Sequence, residues 1–227
     1  MDVWHITWFT LACALAATLL MLLPGVVFAW MLARRPFPGR ALVETIVSLP
    51  LVMPPVATGL ILLVLLSRRG PLGSFLESAG IDVVFTWKAV VIAMAIMGLP
   101  LLVRTARAGF EQVNRRYEDV AATLGASPAR IFLTISLPLA WPSVLAGAVL
   151  AFARALGEFG ATVVVAGSIP GGTRTLAVAI YSAAETGQDA LAGTLLGVSA
   201  AIAFGALWIA NYLSERRSST GSGRSPA

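Results

Sequence analysis

The chain of 227 residues is 58% hydrophobic and 12% charged, with a mean hydropathy of +0.85. Globular domains are about 45–50% apolar and about 25% charged, so this composition argues against a soluble enzyme, a disordered chain or a nucleic-acid-binding domain. At roughly 20 residues per membrane helix, the length allows five or six spans with short loops and no sizeable soluble domain. The net charge of +5, from 16 Lys+Arg and 11 Asp+Glu, fits basic cytoplasmic loops better than a nucleic-acid surface.

Residues 3–33 contain no Asp, Glu, Lys or Arg. The first span is placed at residues 7–32. A secretory signal peptide would want a basic N-terminus and a shorter apolar run, whereas here Asp2 precedes the run and no Lys or Arg does. The single cysteine, Cys13, lies in this run and has no internal disulfide partner; with His5 the only histidine, no Cys/His metal cluster is available.

The second span is placed at residues 45–67. It contains Pro50, Pro54 and Pro55, so its first half cannot be a plain helix. Either these prolines break the span at membrane depth, where protein or a watery cavity satisfies the freed backbone groups, or they belong to a loop and the helix starts near Pro55. Residues 68–88 read as a loop with a short amphipathic turn. The only lysine, Lys88, follows Trp87, so a phosphate-binding G-x-x-x-x-G-K-[ST] loop is absent and any ATP must be bound by another chain.

The third span is placed at residues 84–104, followed by a charge-rich loop over residues 105–138. The fourth span is placed at residues 140–166, a polar loop at 168–189, and the fifth span at 190–213. Residues 214–227, ending in Ser, Gly, Thr and Pro, read as a flexible tail. The expected architecture is an all-α membrane protein with five transmembrane helices. The first and third loops and the tail carry eleven Lys and Arg and the opposite side carries four, which puts the N-terminus outside and the C-terminus in the cytoplasm. Gly193, Gly197, Ala201 and Gly205 form a small-residue stripe on the fifth span, a packing signal with no function of its own.

Within the charge-rich loop, Glu118 and Asp119 open a short helical pattern through Leu124, as acidic residues suit the positive end of a helix. Gly125 is a natural stop. Ser127 then reads as an N-cap with Pro128 at the first helical position. The second short helix passes through Ile131, Phe132 and Ile135 and ends by Leu137-Pro138. Such a helix–turn–helix between spans reads as a DNA reader, a bland interfacial loop or a docking surface; its first helix has few basic residues for DNA.

Here the chain resembles the permease subunits of binding-protein-dependent ABC transporters. Their signature is E-A-A, three residues, G, nine residues, then I-x-L-P. This sequence has Asp119-Val120-Ala121, three residues, Gly125, nine residues, then Ile135-Ser136-Leu137-Pro138. The departures are Asp for Glu at 119 and Val for Ala at 120. The resemblance implies a type I importer fold over residues 1–213 and a coupling helix that sits in a cleft of a separate ATPase. It assigns ATPase coupling to Tyr117, Glu118, Asp119, Ala121, Ala122, Thr123, Leu124, Gly125, Ala126 and Ser127. The segments 34–51, 151–162 and 169–175 resemble the molybdate branch, the second being shared with sulfate/thiosulfate permeases.

That resemblance further implies a transport subunit, not an enzyme, in the cytoplasmic (inner) membrane. Its expected partners are membrane lipid, a second permease copy forming a homodimer, two ABC ATPase subunits and an extracytoplasmic oxyanion-binding protein. No cofactor is expected on this chain, since ATP and Mg belong to the ATPase, and no nucleic acid. The implied cargo is molybdate, with sulfate/thiosulfate or tungstate as the alternative. A competing class, the intramembrane protease, lacks a constellation: His5 precedes the first span and no span holds an Asp. A membrane scaffold would have no need of the spacing from Asp119 to Pro138.

Arg154 and Glu158 lie inside the expected fourth span, four residues apart on one helix face. Arg154 is about 18 Å along the axis from Pro142. Charges so deep face an interior or a watery path and mark function by default. Two readings stay open: a self-neutralising pair that knits the bundle, or a pair beside the translocation pathway near its gate. The gate reading includes Arg154, Gly157, Glu158, Gly160 and Thr162, with Pro54 and Pro55.

Overall fold

The computed structural model describes residues 2–221, with side chains described through Gly205 and at Trp208. Every regular element among the described residues is a helix. The first, α1 (Val3–Arg34), is capped by the Asp2 carboxylate, which accepts from the N–H groups of Trp4 (3.1 Å) and His5 (3.4 Å). At 1.5 Å per residue its 32 residues reach about 48 Å, longer than the roughly 30 Å hydrocarbon core. Trp4 and Trp8 stand exposed near its start and Trp30 lies near its end, where aromatic rings suit the two membrane–water interfaces.

The next helices, α2 (Arg40–Val52) and α3 (Pro55–Leu66), meet at a 115° bend. The break falls at Met53–Pro54, where two successive residues each precede a proline, which disfavours the helical conformation; their ψ angles are 146° and 132°. Pro50 is kept inside α2. A helix does start at Pro55, as one sequence alternative has it, yet the segment before it is helical too and not a loop. A short α4 (Pro71–Ser78) occupies the expected amphipathic turn.

The central helix is α5 (Trp87–Gln112), whose apolar stretch is mostly buried. It packs against α1 on one side and against α8 (Leu137–Leu156) on the other. Small residues permit this: a Cβ on Gly25 of α1 would stand 2.5 Å from Leu102, and one on Gly109 would stand 2.3 Å from Ser143. This third span extends eight residues beyond the expected end at 104, so the expected loop at 105–138 shrinks.

Two short helices follow, α6 (Arg115–Thr123) and α7 (Pro128–Ile131). The second does not end at Leu137-Pro138 as expected. It runs through a π-helical turn, Phe132–Ser136, directly into α8, giving one apolar rod over residues 128–156. Pro138 explains the wide turn: its ring would clash with the carbonyl four residues back, and the helix opens so that Leu137 donates to the Phe132 carbonyl.

The expected fourth span at 140–166 is corrected at its end. The helix stops at Leu156, Gly157 to Phe159 are non-helical, and a separate α9 (Gly160–Ala166) follows. The expected polar loop at 168–189 also holds a helix, α10 (Leu176–Glu185), with Leu176, Val178, Ala179 and Ala183 buried, which packs against the last helix and α1. The last helix, α11 (Asp189–Gly221), contains the expected fifth span and continues into the segment read as a tail. Residues 222–227 lie outside the described residues, as do the side chains of Arg216 and Arg217. By length and composition, α1, α5 and the 128–156 rod can each cross a membrane, and the bent α2–α3 pair makes a fourth candidate.

Candidate functional site: a projecting helix and a buried ion pair

The α6 helix opens on Asn114, whose side chain accepts from the Arg116 N–H at 3.0 Å. It closes on Gly125, at φ +82°, with Ala126 N–H donating to the Ala121 carbonyl and Gly125 N–H to the Ala122 carbonyl, each at 3.0 Å. This left-handed stop favours glycine and satisfies two carbonyls of the last turn. Ser127 then caps the next helix, its hydroxyl accepting from Arg130 N–H at 3.4 Å. Gly125 and Ser127 are where the sequence places them, whereas the helix opens at Arg115, three residues ahead of the expected start at Glu118.

No residue of α6 is buried. Tyr117, Val120 and Leu124 are all more than half exposed, and Leu124 reaches 83%. At i, i+3 and i+7 they form one apolar stripe that this chain leaves uncovered. Asp119, Ala122, Thr123, Gly125 and Ser127 are exposed beside it, while Ala121 and Ala126 are half-buried. The ten residues grouped by the resemblance lie on α6 and the turn that follows it, with one exception in orientation.

That exception is Glu118, which turns inward. Its Oε1 lies 3.1 Å from Arg34 Nε and accepts from the Ser136 hydroxyl at 2.7 Å. Arg34 is the last residue of α1, and its Nη2 donates to the Val113 carbonyl at 2.7 Å, just past the end of α5. Around this knot, Phe132 of the π-turn stacks edge-on against Trp30 (5.2 Å between centroids) and lies near Phe110 (6.1 Å). Neighbouring Arg107 bridges Glu44 of α2 at 2.6 Å and Glu111 at 2.7 Å. Sequence reasoning missed Arg34 and Ser136 as partners; only the place of Ser136 in the I-x-L-P segment hinted at it.

The second cluster sits where α8 breaks. Arg154 Nη1 meets Glu158 Oε2 at 2.8 Å, with the Glu158 side chain 1% exposed and Arg154 27%. The other oxygen, Glu158 Oε1, accepts from the Ala161 N–H at 2.7 Å and so caps α9. The pair does not share a continuous helix face, as expected from spacing; it spans the break, and Glu158 holds the two pieces in register. Gly160 lies against Pro55, where a Cβ would come 2.8 Å from the Pro55 Cβ. The starts of α3 and α9 are thus side by side, which brings Pro54, Pro55, Gly157, Glu158 and Gly160 into one region.

Thr162, fully buried on α9, and Thr58, on α3, have hydroxyls with no hydrogen-bond partner among the described residues. Thr58 and Gly59 are additions that the sequence did not signal. At the opposite end of α1 from Arg34, a cavity of about 250 Å³ is lined by Asp2, His5, Ile6, Pro170, Gly171 and Arg174. The loop beside it is stiff: the Thr173 hydroxyl accepts from Ile169 N–H and donates to the Ala166 carbonyl, and Leu176 N–H reaches Thr10 on α1 at 2.9 Å.

The helical architecture matches chains of known ABC transporters. One, from the alginate ABC transporter in complex with alginate pentasaccharide-bound periplasmic protein, superposes with a TM-score of 0.72 at 19% identity, covering 93% of this chain and 78% of that one. A second, from the inward-facing MetNI methionine ABC transporter, gives 0.67 at 15% identity, covering 92% and 93%. At such identities the likeness concerns the fold. Residues 25–219 match the family described as the binding-protein-dependent transport system inner membrane component. The chain belongs to this family. Among family relatives, the molybdenum transport system permease protein ModB of Escherichia coli K12 is 44% identical over 93% of both chains. ModB of Mycobacterium tuberculosis is 46% identical over 78% of this chain and 67% of that one. The sulfate transport system permease protein CysT of Salmonella typhimurium is 35% identical over 91% and 75%.

Proposed function

We propose that the chain is the transmembrane subunit of an ATP-driven importer that carries molybdate across the cytoplasmic membrane, with ATP hydrolysed on a separate subunit. The observation that carries the reading is the 44% identity, across 93% of both chains, with a protein named for molybdenum transport, against 35% for the sulfate permease. In this reading two copies form the pathway, one of two ATPases docks on the α6 region at the cytoplasmic end of each copy, and an external oxyanion-binding protein delivers the anion. The chain crosses the membrane five times, N-terminus outside. The uncovered apolar stripe of Tyr117, Val120 and Leu124 supports α6 as the coupling helix, since an apolar stripe on an otherwise polar helix favours a partner's groove.

The Arg154–Glu158 pair suits a passage more than a store. Arg154 attracts an oxyanion and Glu158 repels it, so the net hold is small and release is easy. Selectivity then resides in the delivering protein. The test is uptake into proteoliposomes containing this chain, its ATPase and the binding protein, comparing molybdate, tungstate and sulfate. ATP-dependent uptake of molybdate in preference to sulfate is expected; preferential uptake of sulfate or thiosulfate would move the chain to that branch.

A further inference from the structure

We infer that Glu118 and Arg34 are positioning residues that carry motion of α6 into the membrane helices; the inference rests on α6 being the coupling helix. Four elements converge on this pair. Arg34 ends α1, its Nη2 holds the Val113 carbonyl at the end of α5, Glu118 belongs to α6, and Ser136 belongs to the π-turn that leads into α8. α6 has no buried residue and packs chiefly against α7 and the π-turn. This ion pair ties it to the end of α1. The pair is shielded, with side chains 8% and 18% exposed, so water and salt screen it less than a surface bridge.

A helix attached this way moves as a lever. When a partner displaces α6, Glu118 draws Arg34 with it, and Arg34 draws the ends of α1 and α5. The same carboxylate oxygen draws Ser136, and a π-turn is a place where a helix yields. Pro138 creates that turn and brings Ser136 to the carboxylate. Asp119, one residue on, is exposed and faces outward, so the adjacent acids divide the work: Asp119 toward a partner, Glu118 toward its own chain.

The experiment uses the assembled transporter, permease with ATPase and binding protein, in proteoliposomes. It reads ATP hydrolysis and molybdate uptake separately. Glu118→Gln is expected to keep the ATPase bound and hydrolysing while uptake per ATP falls about fivefold or more. The double exchange R34E/E118R restores the opposite charges between α1 and α6 but not the donor to the Val113 carbonyl or the acceptor for Ser136, so it is expected to recover part of that ratio relative to either single exchange. An unchanged ratio in Glu118→Gln overturns the proposal. Loss of the ATPase from purified complexes of that variant also overturns it, because Glu118 would then face the partner. If Glu118→Gln does not assemble, the ratio is read from Arg34→Gln and Ser136→Ala, and no change in either overturns it. Failure of the unaltered chain to bind an ATPase or take up molybdate strikes the transport reading instead.

Discussion

Gly59 of α3 lies against the backbone of Ala161 in α9, so close that a Cβ on Gly59 would stand 2.7 Å from the Ala161 Cα and 2.8 Å from its carbonyl oxygen. Two short helices, each starting at a break in a longer path, are joined by this contact. Val164 is also 3.0 Å away, so no flexible side chain can simply move aside. Gly59→Val is expected to lower stability by about 1–3 kcal/mol through overpacking. A fall in the melting temperature of the detergent-solubilised protein checks this. Gly193→Val, at a glycine with nothing within 4 Å, is the control and should leave the isolated chain's melting temperature close to that of the unaltered protein.

The two oxygens of Glu158 have different tasks, and substitutions separate them. Glu158→Gln retains a carbonyl oxygen to accept from Ala161 N–H but removes the countercharge of Arg154. Assembly and ATPase binding are expected to persist while basal hydrolysis or uptake changes. Glu158→Ala removes cap and charge together. It leaves Arg154 unpaired, and since that side chain is 27% exposed the loss is expected to be roughly 2–3 kcal/mol, below the full cost of breaking a buried pair. Thermal melting beside uptake kinetics distinguishes them; identical uptake by Glu158→Gln and the unaltered chain would remove the pair from the pathway.

Much of this arrangement was legible in the sequence, and the reason is locality. A membrane helix must be apolar throughout, so charge-free runs mark α1 and the core of α5 directly. The stop at Gly125 and the start at Ser127-Pro128 depend on side chains within a few residues of each helix end. What was not legible depends on distant parts of the chain. Glu118 looks like one more exposed acid until Arg34, the end of a helix far upstream, is brought beside it. The break after Leu156 was hidden because Arg154 and Glu158 have helical spacing, yet Gly157 and the cap on Ala161 make a new helix cheaper than continuing the old one. The α10 helix escaped because Arg174 just before it and Glu185 at its end hid a buried apolar face in a segment scanned for charge.

Gly125 provides a test of the turn apart from packing. A Cβ there would meet nothing within 4 Å, so the cost of a side chain is conformational. At φ +82° a β-branched residue is strained by about 1–2 kcal/mol, whereas Asn tolerates the left-handed region. Gly125→Val is expected to reduce ATPase co-purification about tenfold, with Gly125→Asn near the unaltered level. Equal losses in both variants would point to direct crowding of the partner instead of a misdirected α6.

Orientation is the remaining prediction, and Cys13 makes it practical. It is the only cysteine and it is buried, so Cys13→Ser gives a cysteine-free background with one small change. Gln188, between α10 and α11, and Ala129, in α7, are both exposed and lie in segments that the positive-inside bias assigns to opposite sides. A membrane-impermeant maleimide added to intact spheroplasts is expected to label Gln188→Cys and to spare Ala129→Cys, with the pattern reversed in inverted vesicles. The labelling bears on more than topology. Arg34, Glu118 and the uncovered stripe of α6 share the end of the bundle marked by Ala129. If that end were labelled from outside, α6 would be out of reach of a cytoplasmic ATPase. The Glu118–Arg34 link would then have no nucleotide-driven motion to transmit.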